Sequence, residues 1–216
     1  MAVVNSAVHE LFRTPVWVVD LDPKVAAPLN RQIMAMLDEM TGERVAKRAG
    51  QTWQTRQDLH TTKPLKPLVD HLRSTVRGAL TFLDVEYEDF NITGCWANIN
   101  PPGAKHSSHT HPNNYLSGVY YVKADKGADE INFYDPRAQA SAIMPKARKF
   151  NYFNGNVVTV ETKPGRIVVF PAWLVHGVPQ NRSTAERVSI AFNVMLTGFG
   201  DAMSKPMWEQ SAVSEP

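Results

Sequence analysis

The sequence predicts a mainly β domain, a sandwich or barrel, flanked by N-terminal helices. Apolar residues recur with helical spacing up to about residue 87, and the period changes to two from about Glu88. The strands that follow run on without intervening helices, the pattern of a β layer structure rather than of alternating βα units.

Taken in order, "FRTPVWVVDLD" reads as a short first strand, with Pro15 placing it near a sheet edge. "DPKVAAPLNRQIMAMLDEM" carries a helix signal. Asp22 is the N-cap and Pro23 the first helical position, and Leu29, Ile33, Met36, Leu37 and Met40 share one face. Pro28 lies inside this stretch, so the regular helix is expected to begin there. The polar connection "GQTWQTRQDLH" follows, and its Trp53–Gln54 pair is read either as packing or as a lid. In the second helix, "KPLVDHLRSTVRGALTFL", Leu68, Leu72, Val76 and Leu80 form one apolar stripe. The expected strands are then "FNITGCWANIN", "LSGVYYV", "EINFYD", "NVVTVET", "GRIVVFP" and "RVSIAFNVML". One domain is expected over 1–216: 1–87 as first strand and supporting helices, 88–197 as the β core, and 198–216 as a tail that wraps the surface.

Composition narrows the function. A hydrophobic content of 43% with 20% charged residues is that of a globular chain. The net charge of +2 and the scattered basic residues give no footprint for nucleic acid. The single cysteine, Cys95, excludes an internal disulfide and a cysteine-based zinc site. The opening residues lack a basic region followed by an apolar run, and no segment approaches about 18 consecutive apolar residues. The expected location is the cytoplasm, with no membrane partner.

Strand alternation separates two faces. In "RVSIAFNV", Val188, Ile190, Phe192 and Val194 need a cover that the helices can supply, whereas Arg187, Ser189, Ala191 and Asn193 suit a wet pocket. In "SGVYYV", Ser117, Val119 and Tyr121 share one face, and Gly118, Tyr120 and Val122 the other. Asn98 and Asn100 share a face with Trp96; asparagine is disfavoured inside strands, so both read as pocket lining. Trp173 reads as packing.

Three of the seven histidines fall in "KHSSHTHPNN". If Ser108 to His111 is extended, His109 and His111 point to the same side, the geometry for chelating one metal ion; the alternative is a pair of satisfied polar residues. His106 is odd in register with His109 and reads as a solvated loop residue. His176 follows the apolar strand "GRIVVFP" after a restrained turn, a position suited to a distal ligand. Arg187 and Ser189 sit on one face of the last strand, where a guanidinium can grip a carboxylate bidentately.

These segments, His109-Thr110-His111, "SGVYYV", "VVFPAWLVHGVPQN" and "RVSIAFN", together resemble the Fe(II)- and 2-oxoglutarate-dependent oxygenases over about Asn91 to Leu196. "LFRTPVW" and "HTHPNNYLSGVYYV" resemble a poorly characterised bacterial and phage branch of that superfamily. The resemblance implies a double-stranded β-helix (jelly-roll) core, Fe(II) as metal, and 2-oxoglutarate and O2 as cosubstrates. His109 and His176 would be iron ligands. Arg187, helped by Ser189, would hold the distal carboxylate of 2-oxoglutarate, with Tyr121 and Asn98 also on the cosubstrate. The sequence departs from the family at the second ligand, normally Asp or Glu, which here is His111. A set of three histidines is expected; the alternatives put water or Asp135 in that place. The expected activity is a dioxygenase that hydroxylates an unidentified substrate with release of succinate and CO2. Its rivals are a three-histidine cupin-like metalloenzyme without 2-oxoglutarate and a non-catalytic jelly-roll that binds a carboxylate. The primary substrate and oligomeric state are not legible in the sequence.

Overall fold

The computed structural model describes residues 5–41 and 50–199. The chain opens with strand β1 (Trp17–Asp20), helix α1 (Pro23–Thr41), the two-residue strand β2 (Trp53–Gln54) and helix α2 (Lys66–Phe82). Eight strands follow: β3 (Phe90–Asn100), β4 (His106–His109), β5 (Leu116–Lys123), β6 (Glu130–Tyr134), β7 (Val157–Glu161), β8 (Arg166–Pro171), β9 (His176–Val178) and β10 (Arg187–Leu196). They form two antiparallel sheets, β1-β8-β5-β10-β3-β2 and β4-β9-β6-β7, the double-stranded β-helix expected from the resemblance.

Two apolar layers result. The helices cover the outer face of the six-stranded sheet: Leu68, Leu72, Val76 and Leu80 of α2 and Ile33 and Leu37 of α1 are fully buried with Tyr120, Val188, Ile190, Phe192 and Val194. Removing each such side chain from water contributes roughly 1.5–3 kcal/mol, which fixes the register of β10 and β5. A second, smaller cluster holds Tyr121, Ile131, Phe133, Val168, Phe170 and Leu174 between the sheets. Gly118 is required by close packing: a Cβ there would lie 3.0 Å from the Val168 carbonyl oxygen and closer still to the Phe192 ring. No helix among the described residues is long and apolar enough to cross a membrane.

The first strand lies at a sheet edge, as Pro15 suggested. Asp22 caps α1 by accepting from the Lys24 amide (2.7 Å). Helix α1 nevertheless begins at Pro23 and runs through Pro28. Proline at the sixth helical position removes a single backbone donor, and the buried face made by Ala26, Leu29 and Ile33 outweighs that loss. Met40, grouped with the apolar face, is exposed near the end of the helix. Trp53 and Gln54 form an added strand paired with Ile99 and Asn98, in which Trp53 packs against the main core, the packing reading. Trp173 does not pack; it is 55% exposed in the turn before His176. Strands β4 and β9 were not anticipated, and the tail expected over 198–216 lies outside the described residues beyond 199.

Candidate metal and cosubstrate site

Cross-strand register assembles the floor of one pocket. Ser189 of β10 pairs with Tyr121 of β5 on one side and Asn98 of β3 on the other, and Asn98 pairs with Gln54 of β2. Residues directly opposite in antiparallel strands share a face, so Tyr121, Ser189, Asn98 and Gln54 form one polar row. Gln54 donates to the Asn98 carbonyl oxygen (2.7 Å). One pair further along, Arg187 lies opposite Asn100.

Arg187 is 2% exposed, and its Nη2 donates to Asn100 Oδ1 (3.0 Å). Its Nε is buried without a hydrogen-bond partner. Leaving a buried donor unmade costs about 1–3 kcal/mol, more for a charged group, so the chemistry of this position calls for an anionic acceptor. Because Arg187 fixes Asn100 Oδ1 as acceptor, Asn100 Nδ2 must be the donor to Thr52 Oγ1 (2.6 Å) and to His106 Nε2 (2.9 Å). His106 is therefore held as the neutral tautomer. Burial, then the charges of Arg187 and His109, push its pKa down to about 4.

His106 is thus not a solvated loop residue. It opens β4 opposite Val178, while His109 ends β4 opposite His176. Three residue steps on β4 match two on β9, and this bulge turns His106 to the side that simple alternation denies it.

His109, His111 and His176 converge, with one ring nitrogen from each lying within 4.8 Å of the others. Ring centroids are 4.4 Å apart for His109 and His176 and 5.0 Å for His109 and His111. His109 Nδ1 is tied to the Ser107 carbonyl (2.8 Å) and His176 Nδ1 to the Leu174 carbonyl (3.0 Å), which leaves Nε2 of both rings free to ligate a metal. Metal-binding histidines are characteristically oriented by such a second hydrogen bond. The His111 backbone is anchored by its amide to the Ala172 carbonyl (2.9 Å), and its ring lies 5.9 Å from that of Trp96. The donor set is three imidazoles, which suits iron, zinc, copper and nickel alike. Asp135 is not part of it: its carboxylate is gripped by Arg137 (2.8 and 3.0 Å).

All seven residues singled out from sequence, His109, His111, His176, Arg187, Ser189, Tyr121 and Asn98, line this one pocket. Gln54, Trp96, Asn100 and His106 line it too. Burial holds Tyr121 as the neutral phenol, its pKa pushed up to about 12 despite the pull of Arg187.

Burial and mutual repulsion push the pKa values of His111 and His176 from 6.5 down to about 4. Between those limits the unfolded chain takes up protons that the folded one refuses, so stability falls as pH falls. The metal-free protein is expected to be fully stable above about pH 6.5 and to lose stability progressively toward about pH 4. Thermal unfolding followed by circular dichroism across that range checks this; a flat melting temperature would contradict it.

No curated protein matches the sequence. Residues 94–193 match the family described as "Putative 2OG-Fe(II) oxygenase". The fold is similar to that of a prolyl-4-hydroxylase from Pseudomonas putida (15% identity, TM-score 0.59, covering 85% of this chain and 93% of that one). It is similar also to HygX from Streptomyces hygroscopicus, solved with nickel and 2-oxoglutarate bound (13% identity, TM-score 0.58, 85% of this chain and 83% of that one). A third similar structure is a prolyl hydroxylase from Trichoplax adhaerens in complex with a peptide fragment (12% identity, TM-score 0.58, 88% of this chain and 86% of that one). Residues 94–193 are thus similar in sequence to the 2OG-Fe(II) oxygenases, and the fold around them is similar to that of these solved structures.

Proposed function

We propose that this protein is an Fe(II)- and 2-oxoglutarate-dependent dioxygenase, hydroxylating an unidentified substrate with release of succinate and CO2. The observation that carries the reading is the meeting, in one pocket, of three imidazoles with the buried, incompletely paired guanidinium of Arg187. His109, His111 and His176 would hold the iron. Arg187 would take the distal carboxylate of 2-oxoglutarate, with Ser189, Tyr121 and Asn98 as neutral hydrogen-bond partners along the same row. The nickel and 2-oxoglutarate bound in HygX support the same pairing of metal and cosubstrate. Iron and 2-oxoglutarate, when bound, would supply the activation of O2 and the oxidative decarboxylation. The chain contributes orientation: Asn100 aims the guanidinium, the Ser107 and Leu174 carbonyls aim two imidazoles, and Phe133 and Phe170 pack against the His176 ring. Succinate released from 2-oxoglutarate in the presence of Fe(II), ascorbate and air tests the reading; turnover that needs no 2-oxoglutarate would instead support a cupin-like three-histidine enzyme.

The neutral ligand set predicts how His111 behaves. His111→Ala is expected to lose most of its metal, and His111→Asp to keep it, because aspartate restores the charge usual in the family. Spacing alone puts proton competition for the metal near the ordinary histidine value of about 6.5. The depressed values of His111 and His176 move their share of it to about pH 4. Metal analysis of both variants after dialysis checks this; full occupancy in His111→Ala would place His111 outside the ligand set.

Tyr121→Phe is expected to weaken 2-oxoglutarate binding modestly, by about 1 kcal/mol or roughly fivefold, since a single neutral hydrogen bond is lost. Anaerobic titration of the metal-loaded variant measures it.

A further inference from the structure

The connection between β6 and β7, residues 135–156, forms a groove of about 480 Å³ that shares no lining residue with the histidine pocket. Its apolar lining combines the aliphatic side chains of Ala140, Ile143, Met144, Pro145 and Ala147 with the rings of Tyr134 and Phe153. Around it large apolar side chains stand in water, Ile143 85%, Phe150 70%, Tyr152 82% and Phe153 68% exposed. So many in one short segment mark an interaction surface. The segment is also basic. It carries Arg137, Lys146, Arg148 and Lys149 against Asp135 alone, and Asp135 is already held by Arg137. Lys146, Arg148 and Lys149 are exposed and form no ion pair among the described residues.

The groove runs directly into β7, which is the last strand of its sheet among the described residues. Asn156 lines the groove and Val157 begins the strand. Arg166 donates to the Glu161 carbonyl at the far end (2.6 Å), and Val157, Thr159 and Glu161 of β7 are exposed. An uncovered edge strand is a template for backbone pairing. Glu130 and Glu161, the acids of these two strands, sit at the end away from the groove.

We propose that the groove and the β7 edge together dock an extended acidic polypeptide. It would add as a strand to β7, seat one apolar side chain between Ile143, Met144 and Phe153, and present its carboxylates to Lys146, Arg148 and Lys149. Backbone pairing supplies the affinity of this mode, and the pocket and charges supply the selectivity. Five aliphatic residues in the lining and the open strand edge favour a polypeptide with a side-chain anchor, and the rings of Tyr134 and Phe153 make single-stranded nucleic acid the rival that the test includes. The proposal needs neither metal nor 2-oxoglutarate and stands apart from the oxygenase reading.

The test is fluorescence anisotropy on the full chain, without added metal, against an array of labelled peptides varying in acidic and apolar content. Oligothymidine serves as the nucleic-acid arm. Saturable binding is expected for peptides that place Leu or Phe among Asp and Glu. The affinity should fall at least about tenfold with the double variant Lys146→Glu and Lys149→Glu, with Ile143→Ser, and with a probe N-methylated at alternate residues. The three changes remove charge, anchor and strand pairing separately, and the two protein changes fall on exposed positions that leave folding intact. The proposal is overturned if no peptide binds saturably, if charge reversal leaves binding unchanged, or if oligothymidine binds more tightly than any peptide.

Discussion

His176→Ala is expected to leave the protein without tightly bound iron. His176 is 4% exposed, sits on β9 opposite His109, and has its ring fixed by the Leu174 carbonyl, so no neighbouring side chain can move into its place. Removing an outer-shell partner of a metal ligand typically costs 10–100-fold in affinity. Loss of one of three ligands should exceed that, a fall of more than about 100-fold. His106→Ala is the control. His106 lines the same pocket but is bonded to Asn100 rather than to the histidine cluster, so this variant should keep wild-type metal content. Metal analysis of the two variants side by side checks both. Iron retained in His176→Ala, or lost in His106→Ala, would mean that the wrong three of four histidines have been assigned.

Arg187→Ala is expected to keep the metal and lose 2-oxoglutarate. Truncating one partner of a buried, hydrogen-bonded charge pair costs about 2–5 kcal/mol, roughly 30-fold to several-thousand-fold in affinity, much of it from the carboxylate left unpaired. Arg187→Lys should recover part of the loss, since lysine keeps the charge but not the planar fork that reaches both Asn100 and a ligand. Anaerobic titration of 2-oxoglutarate into metal-loaded protein separates the outcomes. Unchanged cosubstrate affinity in Arg187→Ala would remove Arg187 from the site.

Much of the fold could be read from the sequence because alternation along the core strands decides which layer each side chain faces. Val188, Ile190, Phe192 and Val194 face the helices, and Arg187, Ser189 and Ala191 face the pocket, as the period of two requires. The His109–His111 pair followed from the same logic, and His176 from its place after the apolar strand "GRIVVFP". Short elements were harder. "HSSH" and "HGV" are too brief to show a period, so β4 and β9 were missed, and with them the bulge that brings His106 beside Asn100 and Arg187. Sequence spacing assumes an unbroken strand, and a single extra residue reverses every side assignment beyond it. Trp53–Gln54 could not be recognised as a strand because its pairing with Ile99 and Asn98 is long-range. Four of the 23 basic residues, Arg137, Lys146, Arg148 and Lys149, fall on one segment between β6 and β7 that has a single acid, a local imbalance that whole-chain composition averages away.

The central claim is that one pocket binds metal and 2-oxoglutarate together. Anaerobic titration of 2-oxoglutarate into the wild-type protein, metal-free and then loaded with Fe(II), tests it most directly. Saturable binding that strengthens at least tenfold on metal loading is predicted, because the keto acid would gain a metal held by the three histidines while Arg187 holds its other end. Absence of binding to the Fe(II)-loaded protein, or an affinity indifferent to the metal, would contradict it.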